Sequence, residues 1–211
     1  MKIVLKILLV VAIFALIYMC FQSIMGPINF DETKKIREKA ISEQLISIRD
    51  AQIGFRAMYG VYAANFNELQ TFLNEQKIPF IIKEGELTDE QLKQGITEKI
   101  AVEKGFIRRD TNWVLAKDTL LGKNFNVASL HKVPGFESTT FTLDTATLSS
   151  PSGYTVPVFE SGVSYDTYLG DLDRQLLINL KDKMTKMNRF NGLRVGSVTE
   201  INNNAGNWEQ L

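Results

Sequence analysis

The sequence predicts an α+β protein with an N-terminal transmembrane helix, an amphipathic stalk helix and one mixed domain with an antiparallel sheet. Three observations lead to this fold class. Residues 7–21 are all apolar or aromatic, residues 32–59 form a long stretch without proline, and the remainder alternates helix signals with Thr-rich, β-prone segments. The predicted division is residues 1–25 for a transmembrane signal-anchor, 26–60 for the stalk helix and 61–211 for an extracytoplasmic α+β domain.

The N-terminal apolar run predicts a helix that crosses a membrane. Nineteen residues of helix span about 28 Å, close to the roughly 30 Å thickness of the hydrocarbon core. A buried helix of a soluble domain would show polar residues every third or fourth position, and this run shows none. Lys6 precedes the run and can extend its amine toward the headgroups. The residues assigned to the membrane anchor are Ile7, Leu8, Leu9, Val10, Val11, Ala12, Ile13, Phe14, Ala15, Leu16 and Ile17.

Three interpretations of this segment compete: an uncleaved anchor, a cleaved signal peptide and a lipoprotein signal lipidated at Cys20. Cleavage requires small residues in an Ala-x-Ala-like pattern, and none follows the run at the right distance. A lipoprotein signal has a small residue before the cysteine, whereas Met19 stands there. The sequence therefore favours an uncleaved single-pass anchor.

The distribution of basic residues bears on the orientation of this anchor. Lys2 and Lys6 favour a cytoplasmic N-terminus, but four basic residues between positions 34 and 39 follow the other end. Cys20 is the only cysteine, so the domain that follows is compatible with an oxidising compartment. We expect a single-pass protein of the inner (cytoplasmic) membrane with its C-terminal domain in the periplasm.

The stalk helix is predicted to be separate from the membrane helix. Gly26-Pro27 is expected to end the first helix, because proline lacks an N–H donor and disfavours helical angles in the preceding residue. Asp31 is then expected to cap a second helix. An apolar stripe on that helix predicts packing against a sheet of the same domain or, alternatively, an intersubunit coiled-coil seam. The stripe consists of Ile41, Leu45, Ile48, Gln52, Phe55 and Tyr59.

The end of this helix carries a recognisable pattern. Gly60 is expected to end it in left-handed geometry, with an extended segment and a short helix beginning near Asn65. This arrangement resembles the front end of type IV pilin-like and pseudopilin-like proteins, in which a helix, a Gly-containing turn, a Tyr and a short helix follow one another. The residues that carry the resemblance are Ile48, Arg49, Ala51, Gln52, Phe55, Tyr59, Gly60, Tyr62, Phe66, Glu68 and Leu69.

The chain differs from those families at its N-terminus. They carry a Gly before a Phe or Met at a peptidase cleavage site and a Glu five residues into the processed helix, and residues 1–8 contain neither. The resemblance therefore implies a shared architecture. The chain as a whole, notably residues 156–209, is similar to uncharacterised single-pass membrane-anchored proteins of Bacteroidota, which implies a membrane location but no activity.

Residues 74–211 alternate predicted helices and strands. Thr-rich residues 141–148 and residues 154–160 are expected to form a hairpin across a five-residue turn. Asp173 is expected to cap a helix over residues 174–187. The other predicted elements are a strand at 78–83 with Pro79, helices beginning at 88 and at 97, a strand at 113–116 and a last strand at 192–199. The tail around Trp208 is expected to dock on the domain, with an exposed partner anchor as the alternative.

Composition excludes several functional classes. The chain has 24 Lys+Arg and 24 Asp+Glu, so it lacks the basic field of a nucleic-acid-binding domain. One Cys and one His cannot build a zinc site. His131 has no accompanying nucleophile motif and is expected to be structural. Asp166, Asp171 and Asp173 have ligand chemistry suited to Ca²⁺, but no twelve-residue calcium loop accompanies them, so turn and cap roles are expected.

No catalytic, cofactor-binding or metal-ligating residue is therefore assigned, and no cofactor is expected. The sequence predicts a non-enzymatic, membrane-anchored structural or assembly subunit of a cell-envelope complex that acts through protein–protein contacts. The expected partners are the lipid bilayer and other envelope proteins, with a homo-oligomer as an alternative and no nucleic acid. Two other functions remain open: a pseudopilin-like filament or secretion subunit, and a membrane-tethered hydrolase or calcium-binding protein.

Overall fold

The computed structural model of the chain describes residues 2–84, 97, 100, 108–149 and 153–209. The fold is α+β, with one long N-terminal helix and small antiparallel sheets. The chain divides into two compact units. Unit 1 comprises Met1–Arg49 and His131–Leu211, and unit 2 comprises Asp50–Leu130. The boundary between the units falls within the long helix, whereas the predicted division at 1–25, 26–60 and 61–211 stays a prediction about domains.

The long helix, α1, runs without interruption from Lys2 to Tyr59. The prediction that Gly26-Pro27 ends a first helix and that Asp31 caps a second one is wrong, because Pro27 lies inside α1. The restriction on the residue before a proline arises partly from a clash with its Cβ, and Gly26 has none. A proline inside a helix still removes one N–H donor and crowds the carbonyl four residues earlier, and α1 continues across Pro27 despite this cost.

α1 ends where the sequence predicts. Gly60 has a φ of +78°, a left-handed angle that favours glycine, and its N–H donates to the carbonyl of Arg56 at 2.8 Å. The extended segment and short helix expected after this turn are confirmed. Helix α2 spans Phe66–Glu75, and the Asn65 side chain caps it by accepting from the N–H of Glu68.

The other described residues of unit 2 form a two-stranded antiparallel ribbon and short helices. Strand β1, Lys77–Glu84, pairs with β2, Arg108–Leu115, in continuous register from Lys77 opposite Leu115 to Glu84 opposite Arg108. The predicted strand with Pro79 is confirmed. The strand predicted at 113–116 is longer at its start and ends at Leu115, since Ala116 begins helix α3. Helix α3 is Ala116–Leu120, and a short 3₁₀ turn follows at Val127–Ser129.

The core of unit 2 contains the apolar face of α2. Leu69, Phe72 and Leu73 are buried, as are Ala116 and Leu130. Their spacing along α2 places the three side chains on one face of the helix. The helices predicted to begin at residues 88 and 97 lie outside the described residues, apart from residues 97 and 100.

Unit 1 contains two small antiparallel sheets. Strands β3, Lys132–Val133, and β4, Phe136–Thr140, form a pair. The larger sheet has the order β5-β6-β7, with β5 at Thr142–Ser149, β6 at Thr155–Ser164 and β7 at Gly192–Gly196. The predicted hairpin is confirmed, because β5 and β6 pair from Ser149 opposite Thr155 onward.

Two helices connect β6 with β7. Helix α4 is Tyr165–Leu169, and helix α5 is Arg174–Lys186. The predicted cap of α5 is confirmed, since the Asp173 carboxylate accepts from the N–H of Leu176 at 3.0 Å. The predicted last strand is shorter than expected, because it stops at Gly196, whose φ is +72°.

The C-terminal tail lies along the free edge of β7. Gly206 forms an antiparallel bridge with Val195, and the N–H of Asn207 donates to the carbonyl of Arg194 at 3.0 Å. The Asn207 side chain adds two more bonds, accepting from the N–H of Arg194 and donating to the carbonyl of Gly192. The docked tail expected from the sequence is therefore present, and it covers an edge that would otherwise expose main-chain groups.

Candidate functional site

The first part of α1 is an apolar helix that the folded units do not cover. Residues 3–24 are exposed without exception, and the most apolar 18-residue window has a mean hydropathy of 2.9 with none of it buried. Within the described part of the chain, this is the one helix long and apolar enough to cross a membrane. All eleven residues assigned to the anchor lie in it, and the segment is compatible with a membrane anchor or a signal sequence.

The later part of α1 carries the predicted stripe, and its residues differ in burial. Ile41, Leu45 and Ile48 are fully buried, and so is Gln52. Phe55 is half-buried, and Tyr59 keeps 49% of its surface exposed. The buried members leave no surface for a second protein to contact, whereas the end of the stripe remains accessible.

Gln52 is a polar residue in an apolar stripe, and its partners explain its burial. Its side-chain nitrogen donates to the carbonyl of Ala63 at 3.0 Å, and its side-chain oxygen accepts from the N–H of Ala63 at 2.9 Å. The amide therefore satisfies both main-chain groups of a buried residue just beyond the Gly60 turn. Gln52 thus ties the chain after the turn back to α1 within unit 2.

An aromatic groove lies at the accessible end of the stripe. The rings of Phe55, Tyr59 and Phe72 contact one another, with centroids 4.5, 5.4 and 6.1 Å apart. Together with Asn67, Glu68, Thr71 and Gln76 they line a groove of about 380 Å³ within unit 2. We call this surface the aromatic groove. Aromatic side chains with exposed faces are typical of protein–protein contact sites.

In unit 1, Arg37 attaches α1 to the segment that follows α4. Its guanidinium donates to both carboxylate oxygens of Asp171, at 2.5 and 2.8 Å, and to the carbonyl of Tyr168 at 2.6 Å. It also lies 5.3 Å from the ring centroid of Phe136. The hydrogen bonds from Arg37 hold the pKa of Asp171 below its ordinary value. The bidentate geometry fixes the orientation of the two groups.

Glu38 and two tyrosines form a buried polar cluster beside this ion pair. The Tyr168 hydroxyl donates to Glu38 at 3.2 Å, and the Lys34 amine lies 3.8 Å from the same carboxylate. Burial raises the pKa of Glu38, an effect that Lys34 and the Tyr168 hydrogen bond partly oppose. Burial also raises the pKa of Tyr165 to about 12 and that of Tyr168 further, so both phenols stay protonated.

A small pocket adjoins this cluster. It has a volume of about 90 Å³ and is lined on the α1 side by Lys34 and Glu38. The facing residues are Tyr165, Met184, Arg189, Phe190, Gly192, Leu193, Asn207 and Trp208. Tyr165 and Arg189 both line the pocket, and the positive charge of Arg189 opposes in part the burial that raises the pKa of Tyr165. We call this the unit 1 pocket.

The three aspartates with calcium-like chemistry have separate partners. Asp166 pairs with Lys181 at 2.6 Å, Asp171 pairs with Arg37, and Asp173 caps α5. In the described ranges, no three Asp, Glu, His or Cys side chains form a group that could hold a metal ion. The carbonyl of His131 accepts from the N–H of Phe141 at 2.9 Å, which places this residue in the β3 region of the fold.

The fold and these surfaces define an α+β protein of antiparallel sheets that carries a long, exposed apolar helix at its N-terminus. The chain matches no known family model, and no curated protein or solved structure is significantly similar to it.

The sequence did not predict the cluster of Arg37, Glu38, Tyr165 and Tyr168 or the pocket beside it. The spacing of Lys34 and Glu38 by four positions is a local signal for an ion pair on one face of a helix. The partners of Arg37 are more than 130 positions away, and a single sequence carries no signal for such a pairing.

Proposed function

We propose that this protein is a non-enzymatic structural or assembly subunit of a cell-envelope complex, held in the membrane by a single helix. Its location would be the inner membrane, with both folded units in the periplasm. The observation that carries the proposal is that residues 3–24 of α1 are apolar and fully exposed while the same helix continues unbroken into the buried core. Exposed apolar surface of this extent in water is unfavourable and calls for lipid around the helix.

The continuity of α1 gives this proposal a mechanism. Since the helix is unbroken, the position of the anchor sets the position of unit 1, which Arg37 and Asp171 hold to α1. The aromatic groove then offers a contact surface for another envelope protein at the far end of the helix. The role is therefore positional: one helix fixes the protein to the bilayer, and the folded units supply surfaces for partner proteins.

The test is to crosslink the full-length protein in its native membrane, purify it in mild detergent and identify co-purified proteins by mass spectrometry. We expect a reproducible set of envelope proteins. Tyr59→Arg should reduce their recovery, because it places a charge in the aromatic groove. Met58→Arg is the matched control, since Met58 is exposed and adjacent but does not line the groove.

Two outcomes contradict the proposal. If the protein is recovered alone as a monomer, it has no stable partners. If it is recovered with a bound small molecule that is chemically altered by the protein, the non-enzymatic role is wrong, and a membrane-tethered hydrolase takes its place.

A second candidate function is a pseudopilin-like filament or secretion subunit. The observation that favours it is the sequence of an unbroken helix, a left-handed Gly60, a buried Tyr62 and the short helix α2. N-terminal sequencing of the mature chain distinguishes the two candidates. A processed N-terminus supports the filament subunit, and an intact Met1 supports the anchored assembly subunit.

A further inference from the structure

The unit 1 pocket lies at a defined height along α1. No charged residue occurs in α1 between Lys6 and Asp31, a stretch of 24 residues that rises about 36 Å. Lys6 and Lys34 are 28 positions apart, which corresponds to about 42 Å of helix. A bilayer measures about 40–45 Å when its headgroup layers are included. A helix with Lys6 in one headgroup layer therefore brings Lys34 to the other.

The pocket carries a net positive charge at that height. Its charged lining residues are Lys34, Arg189 and Glu38, a formal charge of +1. Glu38 accepts from Tyr168 and lies 3.8 Å from the Lys34 amine, so its carboxylate offsets one of the two positive charges and leaves the other. One phosphodiester group carries a single negative charge, so the charge of this lining complements one lipid phosphate.

The charged side chains around the pocket are mixed in sign. Exposed acidic residues are Asp31, Glu32 and Glu43 on the part of α1 after residue 30 and Asp182 on α5, and exposed basic residues are Lys35 and Lys39 on α1 and Arg174, Lys183 and Lys186 on α5. These charges roughly balance, so they do not create a general attraction to an anionic surface. A preference for an anionic lipid would therefore come from the pocket residues themselves.

The apolar part of the lining also suits the headgroup region. Tyr165, Phe190 and Trp208 line the pocket, and tyrosine and tryptophan are enriched where a protein meets the membrane–water interface. A volume of about 90 Å³ accommodates a group of a few heavy atoms rather than a whole lipid. The acyl chains would remain beside the exposed residues 3–24.

We propose that the unit 1 pocket binds the phosphate group of an anionic phospholipid from the leaflet on the side of the folded units. Lys34 and Arg189 pair with the phosphate oxygens, and the aromatic rings contact the glycerol. This inference rests on the proposed membrane anchor. It assigns unit 1 a lipid preference that the anchor alone would not have.

The test uses the full-length chain with Trp113→Phe, which leaves Trp208 as the single tryptophan. The protein is placed in nanodiscs of phosphatidylcholine alone or of phosphatidylcholine mixed with phosphatidylglycerol. We expect phosphatidylglycerol to reduce acrylamide quenching of Trp208 by about twofold and to shift its emission to shorter wavelength. Lys34→Gln and Arg189→Gln should each abolish this difference.

Lys35→Gln is the matched control, because Lys35 neighbours Lys34 on α1 but is exposed and does not line the pocket. It should keep the full phosphatidylglycerol effect, and all variants should melt within a few degrees of the parent. The inference is wrong if Lys35→Gln loses the effect equally or if Trp208 responds identically in both nanodiscs. A chain that fails to enter nanodiscs of either composition contradicts the membrane anchor itself.

Discussion

Two regions of α1 contain apolar residues but differ in how these residues are distributed and in what covers them. Residues 3–24 are exposed all around the helix, whereas Ile41, Leu45 and Ile48 are fully buried. The first region is apolar on every face, and the second has apolar residues on one face and charges on the other. Both the number of apolar residues and their distribution around the helix therefore distinguish the two regions.

The physical reason is the geometry of packing. A folded chain can cover one side of a helix with neighbouring elements, so a one-sided stripe becomes part of a core. A helix that is apolar on all sides needs a surrounding apolar medium, which a small α+β domain cannot supply and a bilayer can. Substitutions in the stripe should therefore change folding stability, whereas substitutions in residues 3–24 should change membrane insertion.

The largest effect is expected from Leu45→Asp. Leu45 is fully buried, so the change leaves a cavity and an unpaired charge and should destabilise the fold by at least about 4 kcal/mol. Urea denaturation followed by circular dichroism measures this. Ile36→Asp is the matched control on the same helix, since Ile36 is 72% exposed and should change stability by less than about 0.5 kcal/mol. If the two substitutions lowered the free energy of unfolding equally, the stripe would not form the buried face of α1.

Ile13→Asp should have the opposite effect, because it should weaken membrane insertion and leave the stability of the folded units unchanged. An aspartate near the centre of a membrane helix costs about 2.5–3.5 kcal/mol of insertion, so a larger fraction of the protein should leave the membrane on carbonate extraction. The unfolding midpoint of the folded units should not change, because Ile13 is exposed. A fall in that midpoint would show that residues 3–24 contribute to the folded core.

Gln52→Leu sharpens the comparison within the stripe. It extends the apolar pattern but leaves the buried N–H and C=O of Ala63 without their partners, so it should destabilise unit 2 by about 2 kcal/mol. Ile53→Gln, at an exposed neighbouring position, should have almost no effect. Thermal unfolding compares the two variants, and a Gln52→Leu variant as stable as the parent would show that apolar burial outweighs the lost hydrogen bonds.

The smallest expected effect is that of Glu38→Gln, and it depends on pH. The pKa of Glu38 is raised in the folded protein, so its ionisation disfavours folding as the pH rises from the unfolded-state pKa through the folded-state pKa. Lys34 favours this ionisation and Asp31 opposes it. The variant should therefore exceed the parent in stability near pH 7 by less than about 1 kcal/mol, and the difference should vanish near pH 3.5.

Melting temperatures of the parent and Glu38→Gln between pH 3.5 and 7.5 check this prediction. Asp171 and Glu209, whose pKa values are lowered by Arg37 and Arg49, lose stabilising interactions as the pH falls, but they do so in both proteins. The difference between the melting temperatures of the two proteins at each pH therefore reports the ionisation of Glu38. A variant less stable than the parent at pH 7 would mean that the hydrogen bond from Tyr168 requires a carboxylate.

Local signals in the sequence predicted many elements correctly. Asp173 at the start of α5, Gly60 at the end of α1 and the hairpin of β5 and β6 were each predicted from a few neighbouring residues. The same kind of signal gave a wrong prediction at Gly26-Pro27, where the helix was expected to end. The local cost of a proline predicts a break, but the glycine before it removes part of the steric conflict and the helix continues.

The candidate site was less accessible to sequence reasoning. The apolar segment of α1 follows from the continuous hydropathy of its residues, and the stripe follows from helical periodicity. The ion pair of Arg37 with Asp171 and the unit 1 pocket bring together residues of α1 with residues more than 120 positions later. Such pairings depend on how sheets and helices are arranged in space. Charge and hydropathy patterns along the chain do not specify which distant residues come into contact.

The character of each segment follows from its own residues: a helical stretch that is apolar on every face, a helical stretch with one apolar stripe, and short strands and helices bounded by glycines and caps. These properties are local, because backbone angles and hydrophobic periodicity depend on residues a few positions apart. The arrangement of the elements in space sets which members of the stripe are buried, which carboxylates pair with cations and where the pocket forms. Those outcomes depend on long-range packing, in which each contact is a small free-energy difference among many competing arrangements.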